Sequence, residues 1–496
     1  MACRWRHRNL IEASNLNIID KTIAVVSPTA ALKRARARRA LDIVMHYDAA
    51  TTGRRASSWR PVASDADGAA SRRDRLRFVA RDMVRNTPFA LRAQNVIAAN
   101  VVGEGIRPKV ITDNDALIER AGVITREFLD TTLIDADGQN NLFGLQKLVM
   151  KTVPEAGEVL IRRRRRGPDD NLPLPFQVQV MEPDYLDTLR DGTLRSGNMV
   201  REGIEYDKIG RRVAYWLFEE HPGVVGFRRK GWQSKRVPAS EVIHVYRMDR
   251  PGQMRGVSWF APVVMTLRDL ADYQDAQLMR QKLAACFAAF RITPDDDEDT
   301  DAASIMPTTM QPGMITKLGP GEDIQFGNPP SVTGYDEFTR ANLRSIAAGM
   351  GITYEALSGD LSGVNFSSAR MGRMEMDRNV GDWQQLMMVP KFCHGVARWL
   401  LEAWAVRDMN TDIMNLNVRW TPPRRILVDP TKEIPALGKS VALGLESRQA
   451  IIRQMGRDPD EVRAEQKEDQ DRDEAAGLFF NSTVQEPQEV VVNGDE

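Results

Sequence analysis

The order of apolar and polar positions predicts a helical segment and then a β-rich segment along the first half of the chain. From Arg75 to Val102 apolar residues recur every three or four positions, as in an amphipathic helix, and Pro88 is suited to open a second helix. Between Glu158 and Tyr246 short β-prone runs alternate with Pro and Gly, and Asp207 to Gly210 predicts a hairpin turn. The predicted strands are Phe176 to Met181, Val213 to Phe218 and Val242 to Tyr246.

Three long helical patterns dominate the second half of the chain. The first spans Ser258 to Arg291, on the order of 45 Å at 1.5 Å per residue. The second spans Tyr335 to Met350, and the segment between them carries an acidic run and a predicted hairpin from Gly313 to Phe326. The third spans Ser367 to Ala405, where Pro390 is expected to kink or split the helix. The pattern predicts an α+β protein with a projecting helical hairpin.

The two ends of the chain differ from its middle. Residues up to about Ser71 mix Arg-rich, helix-like pieces with Ser, Gly, Ala and Asp, which is typical of an arm or linker. Beyond Thr421 several prolines mark a boundary, and short helices are predicted at Lys432 to Leu443 and Ser447 to Met455. The charged tail from Glu461 is expected to be partly disordered.

Composition narrows the class of protein. The 496 residues are 42% apolar and 27% charged, and the mean hydropathy of −0.39 is typical of a globular protein. The longest strictly apolar stretch, Leu283 to Phe290, is far shorter than the roughly 18 residues of a membrane span, and no apolar run follows the basic N-terminus as a secretory signal requires. We therefore expect no contact with a membrane and a chain that stays in the cytoplasm where it is made. Widely spaced Cys3, Cys286 and Cys393 predict reduced thiols.

Charge is balanced overall but not along the chain. The 68 basic residues equal the 68 acidic ones. Residues 1–90 hold 18 basic and 8 acidic side chains, whereas residues 431–496 hold 8 basic and 15 acidic ones. This asymmetry is compatible with a nucleic-acid or charged-protein partner, and equally with solvated terminal segments.

The sequence offers few groups for catalysis. Gly438-Lys439-Ser440 lacks the first glycine of a phosphate-binding loop, because Glu433 occupies that position. The five histidines are scattered without metal-ligand spacing, and His244 lies in a strand pattern, which favours a structural role. The sequence predicts no cofactor and no metal site.

The acidic run is the candidate for a metal-dependent enzyme. Consecutive carboxylates could supply oxygen ligands for Mg²⁺, as nucleases need, but adjacent side chains on a loop do not converge on one ion. A solvated loop is therefore favoured. The run comprises Asp295, Asp296, Asp297, Glu298 and Asp299.

The basic run from Arg162 to Arg166 is the other prominent charge cluster. Five adjacent guanidinium groups could bind phosphates. The apolar residues before the run and Gly167-Pro168 after it indicate a strand that enters an exposed turn. A solvated turn is favoured over a phosphate site.

Several stretches, in their order and spacing, resemble one protein family along most of the chain. They are Arg81–Ala90, Asn100–Ile106, Gly203–Asp207, Val237–Ala239, Ile243–Tyr246, Arg250–Ser258, Pro312–Gly313, Leu318–Glu322, Gly351–Asp360 and Asn365–Arg370. In these stretches the sequence resembles the bacteriophage portal proteins of the lambda family. The resemblance is weakest over residues 1–40 and after Gly477.

The resemblance implies an α+β portal-type subunit that assembles into a ring. Its expected parts are a basic arm (1–74), a wing (75–257), a stem helix (258–291), a clip (292–334), a second stem helix (335–357), a tunnel loop (358–370), a support helix with the return to the wing (371–429), a crown (430–480) and an acidic tail (481–496).

The resemblance also implies a function without catalysis. Portal proteins form a ring of about twelve subunits at one capsid vertex, through which terminase packages double-stranded DNA and through which the DNA is later ejected. They nucleate capsid assembly and join head to tail, so the expected partners are the terminase large subunit, the major capsid and scaffold proteins, head-tail connector proteins, and DNA without sequence specificity. The expected location is the virion, with assembly in the host cytoplasm.

Two sets of residues follow from the resemblance as candidate sites. The acidic run is expected to contact terminase at the clip. The channel lining is expected to include Ser362, Asn365, Ser367, Ser368, Arg370 and Arg373, because small polar residues with few cations let DNA slide without being held at one register.

Other interpretations of these residues and of the whole chain stay open. Asn365 or Ser367 can simply cap the following helix, and the two arginines can pair with Glu375 or Asp377. A metal-dependent DNA-processing enzyme and a non-viral ring-forming interaction protein are the alternative functions.

Overall fold

The computed structural model describes residues 73–224, 233–286, 290–292, 323–325, 334–423, 427 and 429–478, which all belong to one folded unit, residues 69–496. Nearly all of the predicted arm, most of the predicted clip and the acidic tail lie outside the described residues. Helices and strands are mixed along the chain, so the predicted α+β class is confirmed.

The first two helices form where the apolar pattern predicts them. Helix α1 covers Arg73–Asn86, and α2 covers Pro88–Val102 with the proline in its first turn, where an amide donor is not needed. Gly103, with φ of 53°, ends α2. Strand β1 (Arg107–Ile111) and helices α3 (Asp115–Ile124) and α4 (Leu142–Ala156) follow.

Two antiparallel sheets confirm the predicted β-rich segment. The strands are β2 (Glu158–Arg165), β3 (Phe176–Met181), β4 (Gly192–Thr193), β5 (Met199–Arg201), β6 (Ile204–Tyr206), β7 (Arg212–Phe218), β8 (Ser234–Pro238) and β9 (Val242–Tyr246). One sheet has the order β3-β2-β9 and the other β4-β5-β6-β7-β8. The predicted hairpin turn joins β6 to β7, where the Asp207 carboxylate accepts hydrogen bonds from the amides of Ile209 and Arg211 at 3.0 and 2.8 Å.

The longest helix is shorter at both ends than the sequence predicts. Helix α5 covers Val264–Cys286, about 35 Å at 1.5 Å per residue. It begins after Pro262, because a proline disfavours helical geometry in the residue before it. At the other end, Phe290–Ile292 forms strand β10, which pairs with β11 (Asp323–Gln325). The β10-β11 pairing is what the structure describes of the predicted clip, and the rest of the hairpin predicted from Gly313 lies outside the described residues.

The segment predicted as second stem helix (335–357) and tunnel loop (358–370) contains two helices and the start of a third. Helix α6 covers Tyr335–Met350, as the apolar pattern predicts, and ends at Gly351, whose φ of 71° takes the chain out of helical geometry. A short helix, α7 (Tyr354–Ser358), follows, and α8 (Phe366–Asp382) begins within the stretch predicted as tunnel loop. The non-helical loop therefore spans 359–365 rather than 358–370.

The third predicted helix is irregular around Pro390. A π-helical segment, Trp383–Cys393, joins α8 to α9 (His394–Arg407) and contains Pro390. The wider winding accommodates a residue that has no amide donor, so the predicted irregularity is confirmed.

The C-terminal segment is more ordered than predicted. Strand β12 (Asn417–Thr421) pairs with β1, and α10 (Pro430–Ala442) and α11 (Arg448–Gln454) form near their predicted positions. The prediction of partial disorder from Glu461 is wrong up to residue 476, because α12 covers Pro459–Ala476. Pairs such as Glu468 and Arg472, four residues apart, support this polar helix.

Two apolar cores hold the folded unit together. The larger core joins α1, α2, α4, the start of α5, the end of α6 and the helical stretch from 383 to 405. The smaller core lies between the two sheets and contains Leu160, Tyr215 and Val237. Among the helices that the structure describes, none combines the length and the apolarity needed to cross a bilayer.

Candidate functional site

Helices α5 and α6 pack against each other from the larger core outward to Tyr335, the first residue of α6. Leu267 of α5 and Ile346 of α6 are buried in the larger core. Farther from the core, the Tyr273 ring stacks on Tyr335 with centroids 5.8 Å apart and lies 4.5 Å from the ring of Phe338. These contacts hold the two helices as an antiparallel pair, which confirms the predicted helical hairpin.

The outer ends of these two helices lie outside both apolar cores. In the described chain no residue is buried between 271 and 282 of α5 or between 335 and 342 of α6. Leu278 and Met279 are 51% and 59% exposed. Apolar side chains on a helix end that leaves its own core are typical of a surface completed by association.

The loop from 359 to 365 is held by hydrogen bonds around one carboxylate. Asp360 accepts bonds from the Ser362 amide and hydroxyl at 3.0 and 2.6 Å and from the Tyr354 hydroxyl at 2.9 Å. These bonds, those from Ser362 first, lower the pKa of Asp360 to about 2. The Arg92 Nε donates to the carbonyl of Ala356 at 2.9 Å and ties the preceding helix to α2. The loop thus keeps a defined shape although it is exposed.

The end of the loop caps helix α8. The Asn365 side chain accepts a hydrogen bond from the Ser368 amide at 2.8 Å, and the Ser368 hydroxyl accepts one from the Asn365 backbone amide at 3.2 Å. Asn365 rather than Ser367 is therefore the cap, one of the two capping options left open by the sequence. Ser367 is exposed on the first turn of the helix.

The two arginines predicted for the channel differ in their contacts. Arg373 donates from Nε to Asp377 at 3.0 Å, so the predicted pairing with Asp377 is confirmed for this residue. Arg370 is exposed and forms no ion pair with any described residue. Both lie on α8 rather than in the loop, one helical turn apart. The loop and the two arginines are therefore neighbours in one segment of the chain. Their role in a channel stays a prediction.

The acidic run predicted for the clip, Asp295 to Asp299, lies outside the described residues. Its role stays a prediction.

The basic run is a strand and not the solvated turn that the sequence favours. Arg162 to Arg165 lie in β2, and four of the run's five residues are partly buried. Arg163 binds Glu241 with Nε to Oε2 at 2.7 Å and Glu402 at 2.5 Å, and Arg165 binds Glu241 at 2.6 Å. The sequence misses these pairs because the acidic partners lie 76 to 239 positions away.

A buried ionic cluster that the sequence analysis missed fixes the segment leading into α5. Glu158 and Arg255 are 1% and 2% exposed, and the Arg255 Nε donates to both carboxylate oxygens of Glu158 at 2.8 and 3.0 Å. The Gly256 amide donates to the same carboxylate at 3.0 Å. A Cβ on Gly256 would overlap the carbonyl of Gly157, so only glycine fits there. This geometry accounts for the stretch Arg250–Ser258, part of the family resemblance.

The protonation states in this cluster follow from burial and pairing. Burial favours the neutral form of Glu158, but Arg255 and His244 outweigh it and hold the pKa of Glu158 well below its usual range. Burial lowers the pKa of His244 to about 4, against the opposing effect of Glu158. His244 is therefore neutral at pH 7, with Nε2 facing Glu158 at 2.9 Å and Nδ1 facing Arg212 at 3.2 Å. The predicted structural role of this histidine is confirmed.

One trio in the described residues has the donor types of a metal site. Ligand atoms of Glu182, Asp184 and His221 lie within 4.8 Å of one another. The Arg81 Nη2 already reaches Asp184 at 2.5 Å and Glu182 at 3.0 Å. A guanidinium therefore supplies the positive charge that these carboxylates need.

The longest helix of this α+β chain, α5, extends beyond the core and exposes apolar residues, which is typical of subunits that associate with others. The family model described as phage portal protein, lambda family, matches residues 52–384, and the chain belongs to that family. The resemblance inferred from the sequence is confirmed.

Similar proteins match different shares of the chain. The probable portal protein of Halomonas phage phiHAP-1 is 29% identical over 470 residues, which cover 89% of each protein. Portal protein B of Escherichia phage lambda is 23% identical over 326 residues, 56% of this chain and 59% of the relative. A chain from the neck of a native GTA particle, solved with C12 symmetry, is similar with a TM-score of 0.47 and 15% identity, over 76% of this chain and 93% of that one.

Proposed function

We propose that about twelve copies of this chain form a closed ring at one capsid vertex and that double-stranded DNA passes through its channel. Terminase would drive DNA inward during packaging, and the same channel would release it during ejection. The ring would also nucleate capsid assembly with major capsid and scaffold proteins and join the head to tail connectors. The role is structural rather than enzymatic, and its location is the virion after assembly in the host cytoplasm.

The observation that carries the proposal is the helix pair α5-α6 in a member of the portal family. Its inner end is anchored in the core by residues such as Leu267 and Ile346, while its outer end exposes Leu278 and Met279. A head-to-tail ring gives every such outer end a neighbour on both sides, so apolar side chains exposed in one copy become buried in the ring.

The loop from 359 to 365 and the start of α8 are proposed to line the channel. Four of the candidate residues, Ser362, Asn365, Ser367 and Ser368, carry no charge, and Asn365 and Ser368 use their polar groups on each other. Such a surface makes few strong phosphate contacts, and Arg370, which forms no ion pair with a described residue, supplies one cation per subunit. Each ring of Arg370 would attract DNA without fixing its register.

The acidic run Asp295 to Asp299 is proposed to contact terminase, because it lies in the chain between the two helices of the projecting pair. A solvated acidic loop contributes little to folding, so its replacement by Ser would leave the ring intact and weaken terminase docking.

The test of the proposed function is the mass and shape of the purified full chain. Light scattering should give about 670 kDa, twelve times the chain mass of 55.8 kDa, and negative-stain images should show rings with a central channel. A monomer that cleaves DNA only with Mg²⁺ would contradict the proposal and favour a metal-dependent enzyme.

A further inference from the structure

The five arginines of the basic run separate into two sets, because strand β2 directs alternate side chains to opposite faces of its sheet. Arg163 and Arg165 point to the face where Glu241 pairs with both. Arg162 and Arg164 share the other face, and Arg166, just beyond the end of β2, joins them through its contact with Gln177 of β3. None of the three forms an ion pair within the part of the chain that the structure describes. This second set is called the even arginines below.

Glutamines on the neighbouring strand hold two of the even arginines in place. Arg164 donates from Nε to Gln179 Oε1 at 2.8 Å, and Arg166 donates from Nε to Gln177 Oε1 at 2.7 Å. The Gln177 amide nitrogen in turn donates to the carbonyl of Leu133 at 2.9 Å. Both guanidinium groups are oriented through Nε, and their terminal nitrogens have no acceptor among the described residues. Groups held in this way lose little freedom when they bind a ligand.

The even arginines line a cleft next to the second sheet. Arg162, Arg164 and Arg166 are half-buried, and the cleft of about 540 Å³ is also lined by Arg163, Arg165, Arg236, Val237, Pro238 and Glu241, so that six arginines and one carboxylate line it. Burial first, and then mutual repulsion, lowers the pKa of Arg162 and Arg164. Burial and repulsion outweigh the attraction of Glu219 for both cations, so a bound anion would offset part of the cost of burying them.

We propose that the even arginines dock an extended acidic polypeptide segment with carboxylates at alternate positions. Side chains two apart on a strand lie roughly 6.6 Å from each other, and an extended peptide repeats its alternate side chains at the same distance. Each guanidinium can bind one carboxylate through two parallel hydrogen bonds. With six arginines and one carboxylate, Glu241, among its lining residues, the cleft complements the charge of an acidic segment.

Binding of two labelled synthetic peptides to the full chain tests this proposal. One peptide alternates Glu with Thr, and the other has the same composition with its Glu residues adjacent. We expect the alternating peptide to bind at least tenfold more tightly than the other. The variant R162Q/R164Q/R166Q should lose at least tenfold of that affinity, whereas the control R75Q/R195Q/R463Q, which removes three exposed arginines elsewhere, should keep it.

The outcomes separate the proposal from its alternatives. Equal losses in both triple variants would overturn it, because net charge alone would then explain binding. Displacement of the peptide by a short DNA duplex, with loss of duplex binding in R162Q/R164Q/R166Q, would assign the face to phosphates instead. The triple variant breaks no ion pair among the described residues, so we expect an unchanged thermal melt. If it folds poorly, the single variant R164Q should show a smaller loss of the same kind.

Discussion

The substitution Arg255→Met removes the guanidinium that neutralises a fully buried carboxylate. Methionine fills a similar length without charge, so the change removes the ionic contacts of Arg255, which are those with Glu158 and one from Nη1 to Glu202 at 3.1 Å. Glu158 would keep the Gly256 amide and His244 as partners but lose both of its bonds to the Arg255 Nε. Removing one partner of a buried pair costs about 3–5 kcal/mol, because the remaining charge stays desolvated. We expect a loss of this size in the free energy of unfolding.

Equilibrium urea unfolding followed by tryptophan fluorescence measures this loss. Trp259 is 2% exposed and lies four positions after Arg255, so its emission reports on the same segment. The matched control is Arg195→Met, at an exposed arginine without an ion pair to any described residue, which should change stability by less than about 0.5 kcal/mol.

A second substitution sharpens the test. In the double variant Glu158→Gln with Arg255→Met no charge is left unpaired at this contact, so its cost should be smaller than the sum of the two single costs by about 0.5–3 kcal/mol. A cost below about 1 kcal/mol for Arg255→Met alone, or strict additivity in the double variant, would refute the assignment of a buried, mutually dependent pair.

Three further predictions follow from other parts of the structure. Asn365→Ala should cost about 1 kcal/mol of stability through loss of the α8 cap, whereas Ser367→Ala in the same turn should be nearly neutral in the same urea assay. Because the pKa of His244 falls from 6.5 to about 4 on folding, only the unfolded chain gains its proton as the pH drops from 6.5 to 4, and stability is lost in this window. In His244→Gln the slope of the free energy of unfolding against pH near pH 5 should be smaller by about 1.4 kcal/mol per pH unit. An unchanged slope would contradict a neutral, buried His244. Arg370→Ala with Arg373→Ala should preserve ring yield in gel filtration but change the amount of full-length DNA held in particles, and normal retention at all salt concentrations would reject the channel assignment.

Local patterns were sufficient to predict most helices and strands. The three- and four-residue periodicity placed α2, and the alternation of β-prone runs placed β3 and β9 within a residue of their observed bounds. Helix ends were predicted less well, because they depend on backbone geometry at single residues. The end of α6 at Met350 was predicted correctly, whereas the pairing of Phe290 with Gln325 ends α5 before the predicted Arg291.

The sequence predicted the interactions at the candidate site only where the two partners lie close together in the chain. Asn365 and Ser368 are three positions apart, a spacing that capping motifs predict. Glu158 and Arg255 are 97 positions apart, and no periodicity connects them. Arg163 and Glu402 are also far apart in the chain, at 239 positions, so their pairing was not predicted. A solvated turn was therefore expected where the structure has a strand with paired arginines.

An electron cryo-microscopy map of the ring assembled from the full chain tests the central claim most directly. The account predicts a closed ring of about twelve copies in which the loop from 359 to 365 and Arg370 face the axis and the exposed ends of α5 and α6 contact neighbouring copies. A chain that forms no closed ring, or a ring in which this loop lies on the outer surface, would contradict it.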